Sequence, residues 1–274
     1  MKIITSTNEL MRELFYAKNK IVGFVPTMGA LHKGHFSLIK IAQSECDFIV
    51  VSIFINPTQF NDKSDFDNYP KNLKDDLLRL KKIRPHVVFC PESEELYNHE
   101  IPIQLNLNGL DKTLEGFTRK GHFSGVTRVV NIFFDLIKPN SAYFGEKDYQ
   151  QYLIVKKLAN EFHPKVNIVA CPTLRESNGL AMSSRNKRLN QSEIKLASKI
   201  LKTLTYCKEK YRSTKIEELE KLCFKKLSAF SKPEYFKIRS SSNLSQVTEA
   251  NEKCRAFAAT KIGDVRLIDN LALN

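Results

Sequence analysis

A chain of 274 residues fits one large or two ordinary domains, and its 42% hydrophobic residues suffice for a buried core. The formal charge of +13 invites a nucleic-acid reading, yet over half of it falls between Ser192 and Arg239, where thirteen Lys or Arg face six Glu for a net of +7. Those charges are spread along helical patterns without an aromatic-rich RNA-binding signature, so a solvated lysine-rich surface is the plainer reading and no nucleic-acid partner is expected.

The amino terminus, "MKIITSTNEL", lacks the apolar core of a secretory signal. "KIVGFVP" and "DFIVVSIFIN" then predict two buried strands rich in Val, Ile and Phe. The longest uncharged stretch, Phe48 to Asn61, contains Pro57. It is shorter than the roughly 20 residues of a membrane helix, so no membrane partner is expected. Leu73, Leu77 and Leu80 recur at helical spacing, and "HVVFCP" predicts a short strand. Val126, Val129, Val130, Phe133 and Ile137 mark a second helix, which Pro139 should stop. "SAYFG" and "KVNIVACP" complete the strands. Strand–helix alternation of this kind predicts an α/β fold, a Rossmann-like parallel sheet with helices on both faces. Ligands on such sheets bind beyond the carboxyl ends of the strands.

After about Thr173 the pattern changes. The polar segment "LRESNGLAMSSRNKRLN" leads into two helical stretches, the second with Ile216, Leu219, Cys223, Leu227 and Phe230 on one stripe. "YFKIRS", "CRAFAA" and "VRLIDNLAL" follow as strands, the last with Val265, Leu267, Leu271 and Leu273 on one face. The expected organisation is a first domain over 1–174 and a smaller C-terminal α+β domain over 175–274. The six cysteines, at 46, 90, 171, 207, 223 and 254, stand sixteen or more residues apart, so no CxxC pair exists. They read as reduced thiols of a cytoplasmic protein.

The stretch "VPTMGALHKGHFSLIKIA" carries the first chemistry. Gly29 and Gly34 have the spacing of a phosphate-binding loop, but His35 and Phe36 stand where that loop needs Lys and Ser or Thr. A strand ending at Pro26 and a helix beginning near Gly34 should leave free backbone N–H groups at a positive helix end, which suits an anion. His32 and His35, three apart, face one way on the first turn. Their ring N–H groups can donate to phosphate oxygens as charge builds there. Two surface histidines on an ordinary helix are the bland alternative, and a zinc site lacks a third ligand of fitting spacing.

This segment resembles the HIGH-type signature of nucleotidyltransferases and class I aminoacyl-tRNA synthetases, and "GLAMSSRN" resembles their mobile KMSKS-type loop. Three further stretches, "SIFINPTQF", "LEGFTRKGHFSGV" and "FGEKDYQQ", narrow the resemblance. With the first two, in this order, they resemble the pantothenate synthetase (pantoate–β-alanine ligase) family from about Ile21 to the terminal "RLIDN".

The resemblance implies an ATP-dependent ligase of pantothenate and coenzyme A biosynthesis that joins pantoate to β-alanine through pantoyl adenylate, with Mg²⁺ and a homodimeric assembly. Met28, Gly29, Ala30, Leu31, His32, Lys33, Gly34 and His35 match its first ATP segment, and His35 matches the proton donor. Gly145, Glu146, Lys147 and Asp148 match a second ATP segment. In that second segment Lys147 would hold phosphate and Asp148 ribose. Leu174 would back the adenine, and Met182, Ser183, Ser184 and Arg185 match the mobile loop. Catalytic weight falls on His35, His32 and Lys147. Gln59 and Gln151 match pantoate positions, with Asn56 supporting that pocket, and Gln59 also borders β-alanine. Their amides both donate and accept, which suits hydroxyl and carboxylate groups together. Asp75 or Asp76 could help place Mg²⁺ through water, but a solvated helix face explains them equally well, and no residue is assigned as a metal ligand. Lys120 and Asn178 depart from the family's frequent Pro and Asp. Two rivals stay open: another HIGH-motif adenylyl-transferring enzyme, or a non-catalytic basic RNA-binding protein.

Overall fold

Apolar runs form the strands and amphipathic runs the helices of the computed structural model, which describes residues 1–61, 66–67, 69–247 and 253–274. In chain order come β1 (Lys2–Ile4), α1 (Thr7–Tyr16), β2 (Val22–Thr27), α2 (Lys33–Glu45) and β3 (Phe48–Ile53). Then follow α3 (Leu73–Ile83), β4 (Val87–Phe89), α4 (Ser93–Tyr97), α5 (Leu114–Thr118), α6 (His122–Ile137) and β5 (Ser141–Gly145). The rest comprises α7 (Tyr149–Phe162), β6 (Asn167–Cys171), α8 (Gln191–Ala197), α9 (Lys199–Lys210), α10 (Ile216–Ser228), β7 (Lys232–Ser240), β8 (Cys254–Ile262) and β9 (Val265–Ala272).

The chain forms two compact units. The first comprises Met1–Asn108, Arg119–Glu146 and Ile154–Pro172; the second comprises Gly109–Thr118, Lys147–Leu153 and Thr173–Asn274. The sequence placed one division near residue 174, whereas two earlier segments also belong to the second unit.

In the first unit, six parallel strands lie in the order β1-β4-β3-β2-β5-β6. Alternation along each strand sends neighbouring side chains to opposite faces. Val25, Ile49, Val51, Val88 and Tyr143 pack with Ile39 and Ala42 of α2 and Leu80 of α3. On the other face, Phe24 and Phe89 meet Phe133 of α6 at ring distances of 5.4 and 6.2 Å. Both faces are thus covered by helices, as the alternation predicts. Lys138, with φ of 47°, ends α6 just before Pro139, and its N–H reaches Phe134 O. β1 and α1 are among the elements the sequence did not predict. β1 is only three residues long, and α1 buries only Thr7 and Leu10 while Phe15 and Tyr16 are exposed, so neither shows an inward periodic stripe.

The order of the sheet reverses at β2. From there the chain builds β3 and β4 on one side and β5 and β6 on the other. β2 pairs with β3 along Val22–Thr27 but with β5 only at Gly23 and Phe24. Pro26, which has no N–H to give, therefore sits where β2 has already left β5. Such a switch point opens a crevice beyond the strand ends.

The second unit packs α9 and α10 on a three-stranded antiparallel sheet, β7-β8-β9. Leu219, Cys223 and Leu227 of α10 and Val265, Leu267 and Leu273 of the last strand segment are buried there. α5 is bound to this unit by charge. Glu115, 7% exposed, takes both terminal nitrogens of Arg266 at 2.7 Å and the Tyr235 hydroxyl at 2.7 Å. Burial opposes the Arg266 charge, but Glu115 and Glu234 outweigh it and raise its pKa. Burial and the Glu115 carboxylate push Tyr235 well above its ordinary pKa, so the hydroxyl remains a donor.

Arg266→Met should therefore strand a buried carboxylate and cost about 3 kcal/mol, the lower end for a broken buried pair because the arginine is partly exposed. Urea unfolding followed by circular dichroism measures this. A loss below about 1 kcal/mol would place the pair among ordinary surface contacts.

Candidate active site

The glycine turn after β2 is held by a carboxylate. Thr27 Oγ1 donates to Ser52 O at 2.7 Å and accepts from Gly29 N–H at 3.3 Å. Gly29 and Ala30 then adopt φ of 77° and 49°. For Ala30 the left-handed conformation costs roughly 1–2 kcal/mol. Asp76, on the first turn of α3 and 2% exposed, offsets it. Its Oδ2 accepts from Ala30 N–H at 2.8 Å and its Oδ1 from Leu31 N–H at 2.7 Å. A side chain at Gly29 would come within 3.0 Å of Asp76 Oδ2, so glycine serves both conformation and close approach. The solvated-face reading therefore fails for Asp76, while Asp75 pairs with Arg79 Nε at 2.9 Å on an exposed face.

The start of α2 differs from the expected array of free backbone donors. His32 is the N-cap, and its Nδ1 accepts from Gly34 N–H at 3.1 Å. His35 Nδ1 accepts from His32 N–H at 3.3 Å, which closes a reciprocal box. The imidazoles satisfy groups that an anion was expected to meet, because an orphan helix donor is costly unless something accepts from it. This fixes the tautomer: a neutral ring whose Nδ1 accepts carries its proton on Nε2. The two rings lie 4.0 Å apart at 36° and are half-buried, while Lys33 is exposed. Both neutral rings therefore carry their remaining N–H at Nε2.

A turn after β3 carries two of the predicted pantoate residues, Asn56 and Gln59. Asn56 caps the 3-10 turn Pro57–Gln59. Its Oδ1 accepts from Thr58 N–H (3.1 Å), the Thr58 hydroxyl (2.7 Å) and the Tyr97 hydroxyl (2.6 Å). Its Nδ2 donates to Gly125 O at 2.9 Å and Gln59 Oε1 at 3.0 Å. Asn56, 1% exposed, has thus committed both donors and its acceptor to protein. Gln59, 8% exposed, also points Nε2 at Met28 Sδ, 2.8 Å away.

Met28–His35, Gln59 and Gly145–Glu146 therefore follow the carboxyl ends of three neighbouring strands of the first unit, β2, β3 and β5. The remaining predicted residues, Lys147, Asp148, Gln151, Leu174 and Met182–Arg185, belong to the second unit. There Lys147 Nζ lies 3.5 Å from Asp148 Oδ1, and the Lys147 carbonyl accepts from Asn270 at 2.9 Å. Gln150 is spent on structure, donating to Leu110 O (2.6 Å) and Thr113 O (2.8 Å) and accepting from Glu115 N–H (3.0 Å). Gln151 beside it is half-buried.

The loop from Arg175 to Asn186 is braced at both ends. Arg175 grips Asp269 through two bonds, 2.6 and 3.0 Å, and donates to Gly179 O at 3.1 Å. Asn178 Oδ1 accepts from Leu180 N–H at 3.0 Å, an oxygen's task that Asn performs as Asp would. Met182 N–H reaches Leu174 O at 3.0 Å. Ser183 caps the 3-10 turn Ser184–Arg188, and Ser184 is buried while Leu174 is 40% exposed.

Sequence reasoning named Asp76 only for a possible part in placing Mg²⁺, not for holding the turn, and gave no role to Asp269 or Asn270. An acidic pair in a helix's first turn was visible, but spacing alone does not say which loop it serves. Among the described residues, no group of three or more His, Cys, Asp or Glu side chains could hold a metal ion.

The family model described as Pantoate-beta-alanine ligase matches residues 2–272. The chain is 41% identical to a pantothenate synthetase of Azobacteroides pseudotrichonymphae over 278 residues, covering 99% of each. Its structure is similar to that of pantothenate synthetase from Thermus thermophilus, with a TM-score of 0.92, 34% identity and coverage of 100% of this chain and 99% of that one. It is also similar to a Francisella tularensis pantoate-beta-alanine ligase solved with beta-gamma ATP and β-alanine, at 38% identity and a TM-score of 0.82, covering 100% and 98% of the two chains. A match of this extent, on the fold and strand-end motifs described above, places the chain in the pantoate-beta-alanine ligase family.

Proposed function

We propose that this chain condenses pantoate with β-alanine, cleaving ATP to AMP and diphosphate. A pantoate carboxylate oxygen attacks the α-phosphorus, the bond to the bridging oxygen of diphosphate breaks, and pantoyl adenylate forms. The β-alanine amine then attacks the acyl carbon, loses a proton, and AMP leaves with the electron pair. Family membership supports this reading, as does the relative solved with an ATP ligand and β-alanine. The observation that carries it in this chain is the reciprocal imidazole box, which turns both Nε2–H groups into donors at a switch point.

In this reading, His35 and His32 donate to phosphate oxygens as charge develops during adenylyl transfer. Two anions must meet in that step, so cationic and N–H donors screen the repulsion while positioning supplies much of the remainder. Lys147 and Arg185 contribute fixed positive charge, Asp148 accepts from ribose, and the segments Met28–His35, Gly145–Asp148, Leu174 and Met182–Arg185 serve the nucleotide. Gln59 and Gln151 hold pantoate, and Gln59 borders β-alanine. Asn56 acts on Gln59 and not on the ligand, its hydrogen-bonding groups being committed. Mg²⁺ would travel on the triphosphate oxygens, in keeping with an ion that binds through substrate phosphates more than through protein cages. A homodimer and a cytoplasmic location belong to the same proposal, on the strength of the family resemblance. No helix among the described residues is long and apolar enough to cross a membrane.

AMP release from ATP should require pantoate and β-alanine together, and diphosphate exchange should require pantoate alone. Exchange driven by an amino acid in place of pantoate would overturn the reading in favour of a different adenylating enzyme.

His35→Asn retains an acceptor at the Nδ1 position, and so the helix cap, but removes the Nε2 donor. Pantoate-dependent exchange should fall about 10²–10³-fold, as when a donor to a developing oxyanion is removed. An unchanged rate in a folded variant would refute the assigned role. Asp76→Asn can accept from only one of the two turn N–H groups. It should lower stability by about 1–3 kcal/mol and raise the KM for ATP. Thermal melting and steady-state kinetics measure both, and an unaltered KM would detach Asp76 from nucleotide binding.

A further inference from the structure

The turn that carries Gln59 is gripped from a helix that contributes nothing to the predicted site. His122, the first residue of α6 and 6% exposed, has Nδ1 2.8 Å from the Gln59 carbonyl oxygen. Its Nε2 lies 3.1 Å from Arg119 Nη1. A guanidinium only donates, so Nε2 must accept, and the ring's proton is on Nδ1, aimed at Gln59 O. Arg119 Nη2 reaches the same carbonyl at 3.4 Å.

One turn further along α6, a side chain at Gly125 would lie 2.4 Å from Thr58 O and 2.7 Å from Gln59 N. The helix backbone therefore rests directly on the turn. Gly125 O also accepts from Asn56 Nδ2, the group that donates to Gln59 Oε1. Gln59 is in this way fixed at its carbonyl by His122 and at its amide oxygen by Asn56. Two anchor points on one residue define the direction of its side chain, which a single contact does not.

We propose that His122 is a positioning residue for pantoate recognition: its Nδ1–H orients Gln59, and Arg119 holds the tautomer that makes the donation. This rests on the assignment of Gln59 to pantoate. Asn and Gln substitutions separate the role from bulk packing, since an Asn amide nitrogen falls near the Nδ1 position and a Gln amide nitrogen near Nε2.

Steady-state kinetics of the whole enzyme should give His122→Asn a pantoate KM within about twofold of the unsubstituted chain, and His122→Gln one raised about tenfold, the scale of one lost directed hydrogen bond. The KM for ATP should move less than about twofold in both, an interaction with one substrate only. In a Gln59→Ala background, which itself raises the pantoate KM, His122→Gln should add nothing, because contacts acting through one residue are not additive. The inference alone is overturned if Gln59→Ala raises the pantoate KM while His122→Gln leaves it unchanged. It is likewise overturned if His122→Gln shifts both substrates equally or adds its full factor on top of Gln59→Ala. If Gln59→Ala leaves the pantoate KM unaltered, the assignment of Gln59 fails and the inference with it. Circular dichroism confirms that each variant is folded before it is scored.

Discussion

A buried carboxylate bound to two consecutive backbone N–H groups is the constraint on which the first unit's chemistry depends. Asp76 takes the donors of Ala30 and Leu31, and so stabilises a backbone that an alanine rarely adopts. Charge-assisted hydrogen bonds to an ionised acceptor are about twice as strong as neutral ones, which outweighs the strain of one left-handed residue. Once the turn has that shape, His32 falls at the N-cap of α2 and its ring closes on Gly34. His35 closes on His32 in return, and both rings become Nε2–H donors. Each step follows from the one before it, beginning from a side chain forty-odd residues along the chain.

The second unit answers the same need with a strand. β9 offers Arg266 to Glu115, Asp269 to Arg175, and Asn270 to both the Lys147 carbonyl and Arg255. Three motif-bearing segments of that unit, around Glu115, Lys147 and Arg175, are thus tied to a single extended element. A strand suits this task because its side chains project at fixed spacing on known faces. Asp269 stands on the odd-numbered face with Val265 and Leu267, and an ion buried there must be paired, which Arg175 does through two bonds. The terminal "RLIDN" is therefore a brace for the unit that holds the predicted KMSKS-type loop, although its letters suggest only an amphipathic strand.

How much of this was legible depends on whether a feature is periodic or relational. The parallel sheet was readable because "KIVGFVP" and "DFIVVSIFIN" are apolar runs separated by helix-period segments, and because Pro139 follows a stripe ending at Ile137. β1 and α1 were not, since three residues set no period and α1 leaves Phe15 and Tyr16 in solvent. At the site, the glycine and histidine spacing pointed to phosphate chemistry, and the ordered motifs pointed to a family. What spacing leaves open is which polar residue faces a ligand and which serves its neighbours. Gln150 and Gln151 are adjacent identical letters, yet Gln150 makes three structural hydrogen bonds within its unit. Asn56, expected to support the pantoate pocket, gives its Oδ1 and both Nδ2 hydrogens to protein groups.

In the proposed reaction, a helix start whose first N–H groups are already taken meets its anion through side chains. Here Gly34 and His32 give their N–H groups to imidazole nitrogens, which leaves the N–H of each neutral ring at Nε2. A ring held by one nitrogen keeps its tautomer and can be aimed at an oxygen whose charge grows only as the new bond forms. The capping box satisfies the helix's otherwise orphaned donors and, in the proposed reaction, orients neutral donors toward developing charge. In the proposed reaction the permanent positive charge comes from Lys147 and Arg185, so the histidines need not be charged to contribute. Their part is directional, and direction is what the box, the strained alanine and the buried Asp76 carboxylate together provide.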